Sequence, residues 1–176
     1  MDHAEMTTLY LVRHGETIDN ARKIMQGQTQ GELTEKGWQQ ARMLAAQLRD
    51  TRIDAFVASD LKRAVDTCRV IADSRGMPVE TTPLLRERDW GGFTGRYIPD
   101  LKDEAWPDDI ESLDALKERG RQFLCFVAKH FPGQNVLAVG HGIINKAIQA
   151  VYHDKPMNEI PRMENIEVRV LRLESQ

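Results

Sequence analysis

An apolar run, Leu9-Tyr10-Leu11-Val12, ends abruptly on Arg13-His14-Gly15, and the pattern returns where Val136-Leu137-Ala138-Val139-Gly140 runs into His141-Gly142. Short continuous apolar runs bounded by turn residues read as strands buried on both faces, the kind found in parallel sheets covered by helices. Each of these strands delivers a histidine to its carboxyl end, where the ligand crevice of a parallel α/β sheet opens. If the strands are neighbours, His14 and His141 share one site. The glycine after each lets the chain turn sharply and begin a helix whose free N–H groups favour an anion. Arg13 adds a planar fork of donors that matches phosphate oxygens, so the expected guest is a phosphate.

The rest of the chain alternates in the same way. Periodicity predicts strands near 7–13, 54–58, 78–82, 135–140 and 165–173, and helices near 35–49, 61–74, 109–130 and 143–153, with a short helix after Gly15. Helix 35–49 is capped by Thr34 and carries Trp38, Ala41, Leu44, Ala45 and Leu48 on one side. Helix 109–130 presents Ile110, Leu113, Leu116, Phe123, Leu124 and Val127, and Pro132-Gly133 stops it. The expected fold is a three-layer α/β/α sandwich with a mostly parallel sheet. Ile166 to Leu173 alternates polar with apolar, as an antiparallel edge strand with one wet face would, and that edge offers a surface for a homodimer. At 176 residues the chain is expected to form one domain over 1–176. Pro83 to Pro107 has no clean periodicity, and loops of that length tend to be functional.

Composition narrows the partners. A net charge of −3 gives no field that attracts nucleic acid or an anionic membrane surface, so positive charge for a phosphate must be local. No apolar stretch approaches the roughly 20 residues of a membrane span, and Met1-Asp2-His3-Ala4-Glu5 has no leader-like character, which favours a cytoplasmic location. Cys68 and Cys125 form no C-x-x-C and fall on apolar sides of helices, which fits a reducing compartment and gives no structural metal site. His3, His130 and His153 read as surface residues, as do Arg49, Arg52 and Arg69. Trp38 reads as core; Trp90 and Trp106 either wall a pocket or pack the long loop down.

A second candidate arginine, Arg63, opens a helix just after the strand that ends at Ser59. Taken in order, Leu11-Val12-Arg13-His14-Gly15-Glu16-Thr17, Asn20, Gly37 with Gln40-Ala41, Ser59-Asp60-Leu61-Lys62-Arg63-Ala64 with Thr67, Leu85-Arg86-Glu87 ahead of Gly91 and Gly95, and His141-Gly142 resemble the histidine phosphatase superfamily, which includes the cofactor-dependent phosphoglycerate mutases. The resemblance implies that His14 is a nucleophile attacking phosphorus through Nε2 while its other nitrogen donates to a backbone carbonyl. It implies that Arg13, Arg63 and His141 surround the transferred oxygens, with neutral donors from Asn20 and Gly142 and with Gln26 and Gly27 beside the substrate. Glu87 corresponds to the family's acid, with Asp89, two residues on, as its rival. Neither a metal nor another cofactor is implied.

Only 53 residues lie between Glu87 and His141. In the mutases this stretch is much longer and caps the active site, so here a short capping insertion, at about 86–130, is expected to admit water. The chain also has Thr94 where many phosphatase relatives carry glutamate, and Glu32 where they carry proline before the Leu-Thr pair. The leading expectation is a metal-independent hydrolase of a small phosphomonoester, resembling the α-ribazole phosphatase branch. A phosphoglycerate mutase is the first alternative, and a non-catalytic phospholigand-binding module the second.

Overall fold

The two apolar runs are adjacent strands inside a five-stranded sheet of order β3-β2-β4-β1-β5. In the computed structural model, which describes residues 5–175, these are β1 (Met6–Arg13), β2 (Ala55–Ser59), β3 (Val79–Thr82), β4 (Asn135–Gly140) and β5 (Val168–Glu174). The expectations for His3 and for the start of the chain fall outside the described residues. All pairings are parallel except β1 with β5. The helices are α1 (Ile18–Arg22), α2 (Glu35–Gln47), α3 (Lys62–Asp73), α4 (Leu113–His130) and α5 (Gly142–His153).

Alternate side chains of the central strands feed two separate cores, which is why their sequences are apolar without a break. Val136 and Ala138 of β4, with Leu9 and Leu11 of β1, pack against Leu116, Phe123 and Val127 of α4 and Ile144, Ala147 and Ile148 of α5. Leu137 and Val139, with Val12, face Leu44 of α2 and Ala64, Cys68 and Ile71 of α3. Each large side chain so buried contributes roughly 1.5–3 kcal/mol. The result is the expected three-layer sandwich with an antiparallel edge strand.

Four local expectations are corrected. Trp38 is only half-buried; the buried positions of α2 are Gly37, Ala41 and Leu44, because α2 approaches the His14 turn through its glycine side. The helix expected from 109 begins at Leu113, where the Ser112 Oγ caps it by accepting from the Ala115 N–H at 3.0 Å, and Leu113 itself is 46% exposed. In β5 the alternation slips at Val170-Leu171. Leu171 and Leu173 enter the α4/α5 core, Val168 packs on the other side and Val170 stays exposed, so the strand has no wholly wet face. Of the stretch expected to cap the site, α4 is instead a layer of the sandwich packed on α5, and Trp90 and Ile98 of the segment before it reach the cavity described next.

Candidate active site

Register brings the two histidines together. Arg13 of β1 lies opposite Gly140 of β4, so the next residue of each strand is a histidine, and the rings meet edge to face with centroids 5.1 Å apart. Both are buried. His14 Nδ1 lies 2.7 Å from the Gly15 carbonyl oxygen, which can only accept, so Nδ1 carries the proton and Nε2 keeps its lone pair. Burial, reinforced by the charge of Arg63, holds the His14 pKa well below the ordinary histidine value, so the ring is neutral at pH 7. His141 is shifted the same way, by burial first and then by Arg63 and His14.

His141 owes its orientation to a residue that the sequence reading passed over as part of a motif. Ser59 ends β2, the strand on the other side of β4, and its Oγ sits 2.9 Å from His141 Nε2. The same Oγ accepts from the Leu61 N–H at 3.2 Å, so its own proton is free for Nε2. That assignment leaves the proton of His141 on Nδ1, a buried atom with no partner. Two neutral histidines result, both protonated on Nδ1: His14 keeps a free lone pair on Nε2, and His141 keeps an unpartnered Nδ1–H donor.

The two glycines after the histidines act otherwise than expected. Gly15 does not open a helix: Thr17 caps α1, its Oγ1 accepting from the Asn20 N–H and its N–H donating to Asn20 Oδ1. Gly15 is required because its backbone meets that of Gly37, where a Cβ on Gly15 would lie 2.7 Å from the Gly37 carbonyl oxygen. Gly142 does open α5, but the anion at that helix end is the chain's own Glu87. The Glu87 carboxylate accepts from the Ile144 N–H at 3.0 Å and from the Ile143 N–H at 3.1 Å, which leaves the Gly142 N–H of this turn for a ligand.

Arg13 and Arg63 line the same cavity, of about 300 Å³, as His14. One terminal nitrogen of Arg13 donates to the Met163 carbonyl at 2.9 Å. The fork of Arg63 is committed differently from expectation: it donates to the carbonyls of Gly27, Thr29 and Gln30, folding the 27–30 loop around itself. What Arg63 offers the cavity is its charge and an unpartnered Nε. Burial lowers its pKa to about 10, which leaves it a cation at neutral pH. Of four buried side-chain polar atoms without a partner among the described residues, three are Arg13 Nε, Arg63 Nε and His141 Nδ1, and the fourth is Asn145 Oδ1.

Asn20, Gln26, Gly27, Glu87 and Gly142 also border the cavity, whereas His141, in edge-to-face contact with His14, is buried beside it. The amide oxygens of Asn20 and Gln26 are taken by the Thr17 N–H and the Thr17 hydroxyl, so each amide keeps its NH₂ as a donor. Gly27 serves by its backbone: φ is +52° and its carbonyl accepts from Arg63. Asn165, which no motif marked, donates to the His14 carbonyl at 2.9 Å.

Glu87 is distinguished from Asp89 by position. Leu85 is buried, Arg86 grips Asp60 with a two-pronged ion pair, and Glu87 turns to the cavity, whereas Asp89 is exposed and accepts from the Gly91 N–H. Arg119 of α4 buttresses this segment, donating to the carbonyls of Leu84, Arg86 and Glu87 and pairing with Glu111 at 2.8 Å. Glu111 is therefore part of the scaffold. Trp90 walls the cavity, Trp106 packs edge-on against it at 5.5 Å, and Arg88 stacks over both. Arg49, Arg52, Arg69, His130 and His153 are exposed, as expected. No helix among the described residues is long and apolar enough to cross a membrane.

A chain so arranged has known counterparts. The family model of the histidine phosphatase superfamily, branch 1, matches residues 9–176. A probable phosphoglycerate mutase, GpmB, of Enterobacter sp. (strain 638) is 40% identical over 78% of this chain and 71% of its own length. Among solved structures, Bacillus stearothermophilus YhfR superposes with a TM-score of 0.84 at 30% identity, covering 93% of this chain and 90% of its own. An Escherichia coli protein put forward as an α-ribazole-5′-P phosphatase superposes with a TM-score of 0.81 at 26% identity, covering 96% and 97%.

Proposed function

The chain belongs to branch 1 of the histidine phosphatase superfamily, and from that premise we propose that it is a metal-independent phosphomonoester hydrolase working through a phosphohistidine on His14. The observation that supports this most is the set of orphaned donors. Arg13 Nε, Arg63 Nε and His141 Nδ1 are buried without partners in residues that surround His14, a costly arrangement unless an anion completes it.

The chemistry follows from the atoms available. His14 Nε2 forms a bond to phosphorus as the ester P–O bond breaks, and Glu87 delivers a proton to the departing alcohol oxygen. Water then attacks the phosphohistidine and gives its proton to Glu87. The P–N bond breaks, inorganic phosphate leaves and His14 is regenerated. Arg13, Arg63, the His141 Nδ1–H, the Asn20 amide and the Gly142 N–H stabilise the charge on the equatorial oxygens, the role a metal plays elsewhere. Such preorganised donors are each worth about 10²–10³ in rate.

Incubation with a panel of phosphomonoesters in the presence of a chelator should release inorganic phosphate, and His14→Ala should abolish release. A second reading, a phosphoglycerate mutase, draws support from the 40% identity to the probable mutase of Enterobacter. It requires bisphosphate-primed interconversion of 2- and 3-phosphoglycerate faster than hydrolysis of either. The short segment over the cavity favours water as the acceptor. Chelator-sensitive turnover, or undiminished turnover by the His14 variant, would contradict the proposal.

A further inference from the structure

A phosphate that completes Arg13 Nε, Arg63 Nε and His141 Nδ1 leaves the fourth orphaned atom unexplained. Asn145 Oδ1 belongs to α5, its side chain is wholly buried and it does not line the cavity. An unsatisfied buried acceptor destabilises a fold, so what this side chain contributes is position. Its amide is wedged between the last residues of β1 and β4. The Asn145 Nδ2 donates to the Val12 carbonyl at 3.1 Å, and because that oxygen can only accept, Oδ1 is turned the other way, against Gly140. A Cβ on Gly140 would lie 2.2 Å from Oδ1, so the residue paired with Arg13 in the sheet has to be glycine.

Asn145 is one member of a buried polar chain that ends at Arg13. Gln149, one turn further along the same face of α5, donates to the Asn145 carbonyl at 3.0 Å. Both amides reach the sulfur of the buried Met163, Gln149 Nε2 at 3.5 Å and Asn145 Nδ2 at 3.7 Å. The Oε1 of Gln149 accepts from Arg169 of β5, which also donates to the carbonyls of Pro161 and Arg162 and pairs with Glu167. The segment 161–167 is thus fastened to α5 and β5. In turn it grips the catalytic strand end. The Met163 carbonyl accepts from the Arg13 guanidinium at 2.9 Å, the Ile166 N–H donates to the Arg13 carbonyl at 2.9 Å, and Asn165 donates to the carbonyl of His14.

We infer that Asn145 and Gln149 are positioning residues for phosphoryl transfer, acting through Met163 to aim the Arg13 guanidinium at the transferred group. The inference rests on the phosphatase reading. With one terminal nitrogen tied to a fixed carbonyl, the rest of the Arg13 fork, its orphaned Nε included, is left for phosphoryl oxygens. Arg63 is anchored elsewhere, on the carbonyls of the 27–30 loop, so a change at Met163 reaches one arginine and not the other. Misplacing a catalytic group by about 1 Å costs about 10²-fold in rate.

A double-mutant cycle on the hydrolysis of p-nitrophenyl phosphate tests it. Asn145→Leu and Gln149→Met nearly preserve side-chain size and remove the amides. Each should lower kcat by about tenfold to a hundredfold, with a smaller change in KM. In an Arg13→Met background neither substitution should lower kcat further, whereas in an Arg63→Met background each should lower it by the same factor as in the wild-type chain. A general loosening of the site would act in both backgrounds. Wild-type kcat in either single variant, or a loss that does not discriminate between the two backgrounds, overturns the inference and leaves the phosphatase reading standing. Urea unfolding checks that each variant folds. Should Asn145→Leu not fold, Gln149→Met decides the cycle alone, because the hydrogen bonds of Gln149 go to Asn145, Met163 and Arg169 and not to the strand ends that carry the histidines. A wild-type chain that does not hydrolyse p-nitrophenyl phosphate overturns the phosphatase reading itself and this inference with it.

Discussion

His14 and His141 are the same residue in the same tautomer, and their surroundings leave opposite nitrogens free. The Gly15 carbonyl forces a proton onto Nδ1 of His14 and frees Nε2, while the Ser59 hydroxyl occupies Nε2 of His141 and leaves its buried Nδ1–H without a partner. Ser59→Ala should therefore lower kcat about tenfold, the worth of a buried hydrogen bond, with little change in KM, and Ser59→Thr should restore most of it. Equal kcat in the serine and alanine forms would show that Ser59 does not orient the ring. His14, Arg13 and His141 were legible in the sequence because each stands at the end of an unmistakable strand. Glu87 was legible only by resemblance, since nothing local separates it from Asp89. Ser59, Asn165 and Arg119 were not legible as supports, because their work depends on which strands and loops become neighbours.

At the level of elements, the site depends on two close fits. One is the approach of the His14 turn to α2, where a Cβ on Gly37 would overlap the Glu16 carbonyl oxygen. Gly37→Ala should cost about 1–3 kcal/mol by overpacking, read as a lowered urea midpoint, and should reduce kcat by shifting His14. A fully stable and active alanine variant would show that the fit is loose. The other is the Arg119 buttress beneath Glu87. Arg119 and Glu111 are 17% and 15% exposed at their side chains, so removing one leaves a largely buried charge unpaired. Arg119→Leu is expected to lose about 2 kcal/mol of stability and to lower kcat more than it raises KM. Unchanged kcat would mean that Glu87 is held by α5 alone. The sequence correctly placed every strand and the four longer helices to within a few residues. It erred at the start of α4, because Asp109 and Glu111 serve the loop: the Asp109 carboxylate accepts from the Gly92 N–H and Glu111 supports the backbone of Asp89.

For the molecule as a whole, burying two neutral histidines ties stability and activity to pH in a fixed direction. Burial depresses both folded-state pKa values, so below the ordinary value near 6.5 the unfolded chain binds protons that the folded chain does not. Stability is thus full above that value and falls as pH drops beneath it, by up to about 1.4 kcal/mol per histidine per pH unit. Urea titrations at pH 7 and pH 5 should show the loss before carboxylates titrate, and equal midpoints would contradict it. The acidic limb of kcat/KM should likewise lie well below pH 6.5, because His14 keeps its lone pair there. The central claim is that His14 carries the phosphoryl group covalently. Rapid acid-free quenching of the enzyme with a ³²P-labelled phosphomonoester, followed by peptide mapping, tests it most directly. The account predicts alkali-stable, acid-labile label on the peptide containing His14 and none in His14→Ala; label elsewhere, or turnover with no labelled protein at any time, would contradict it.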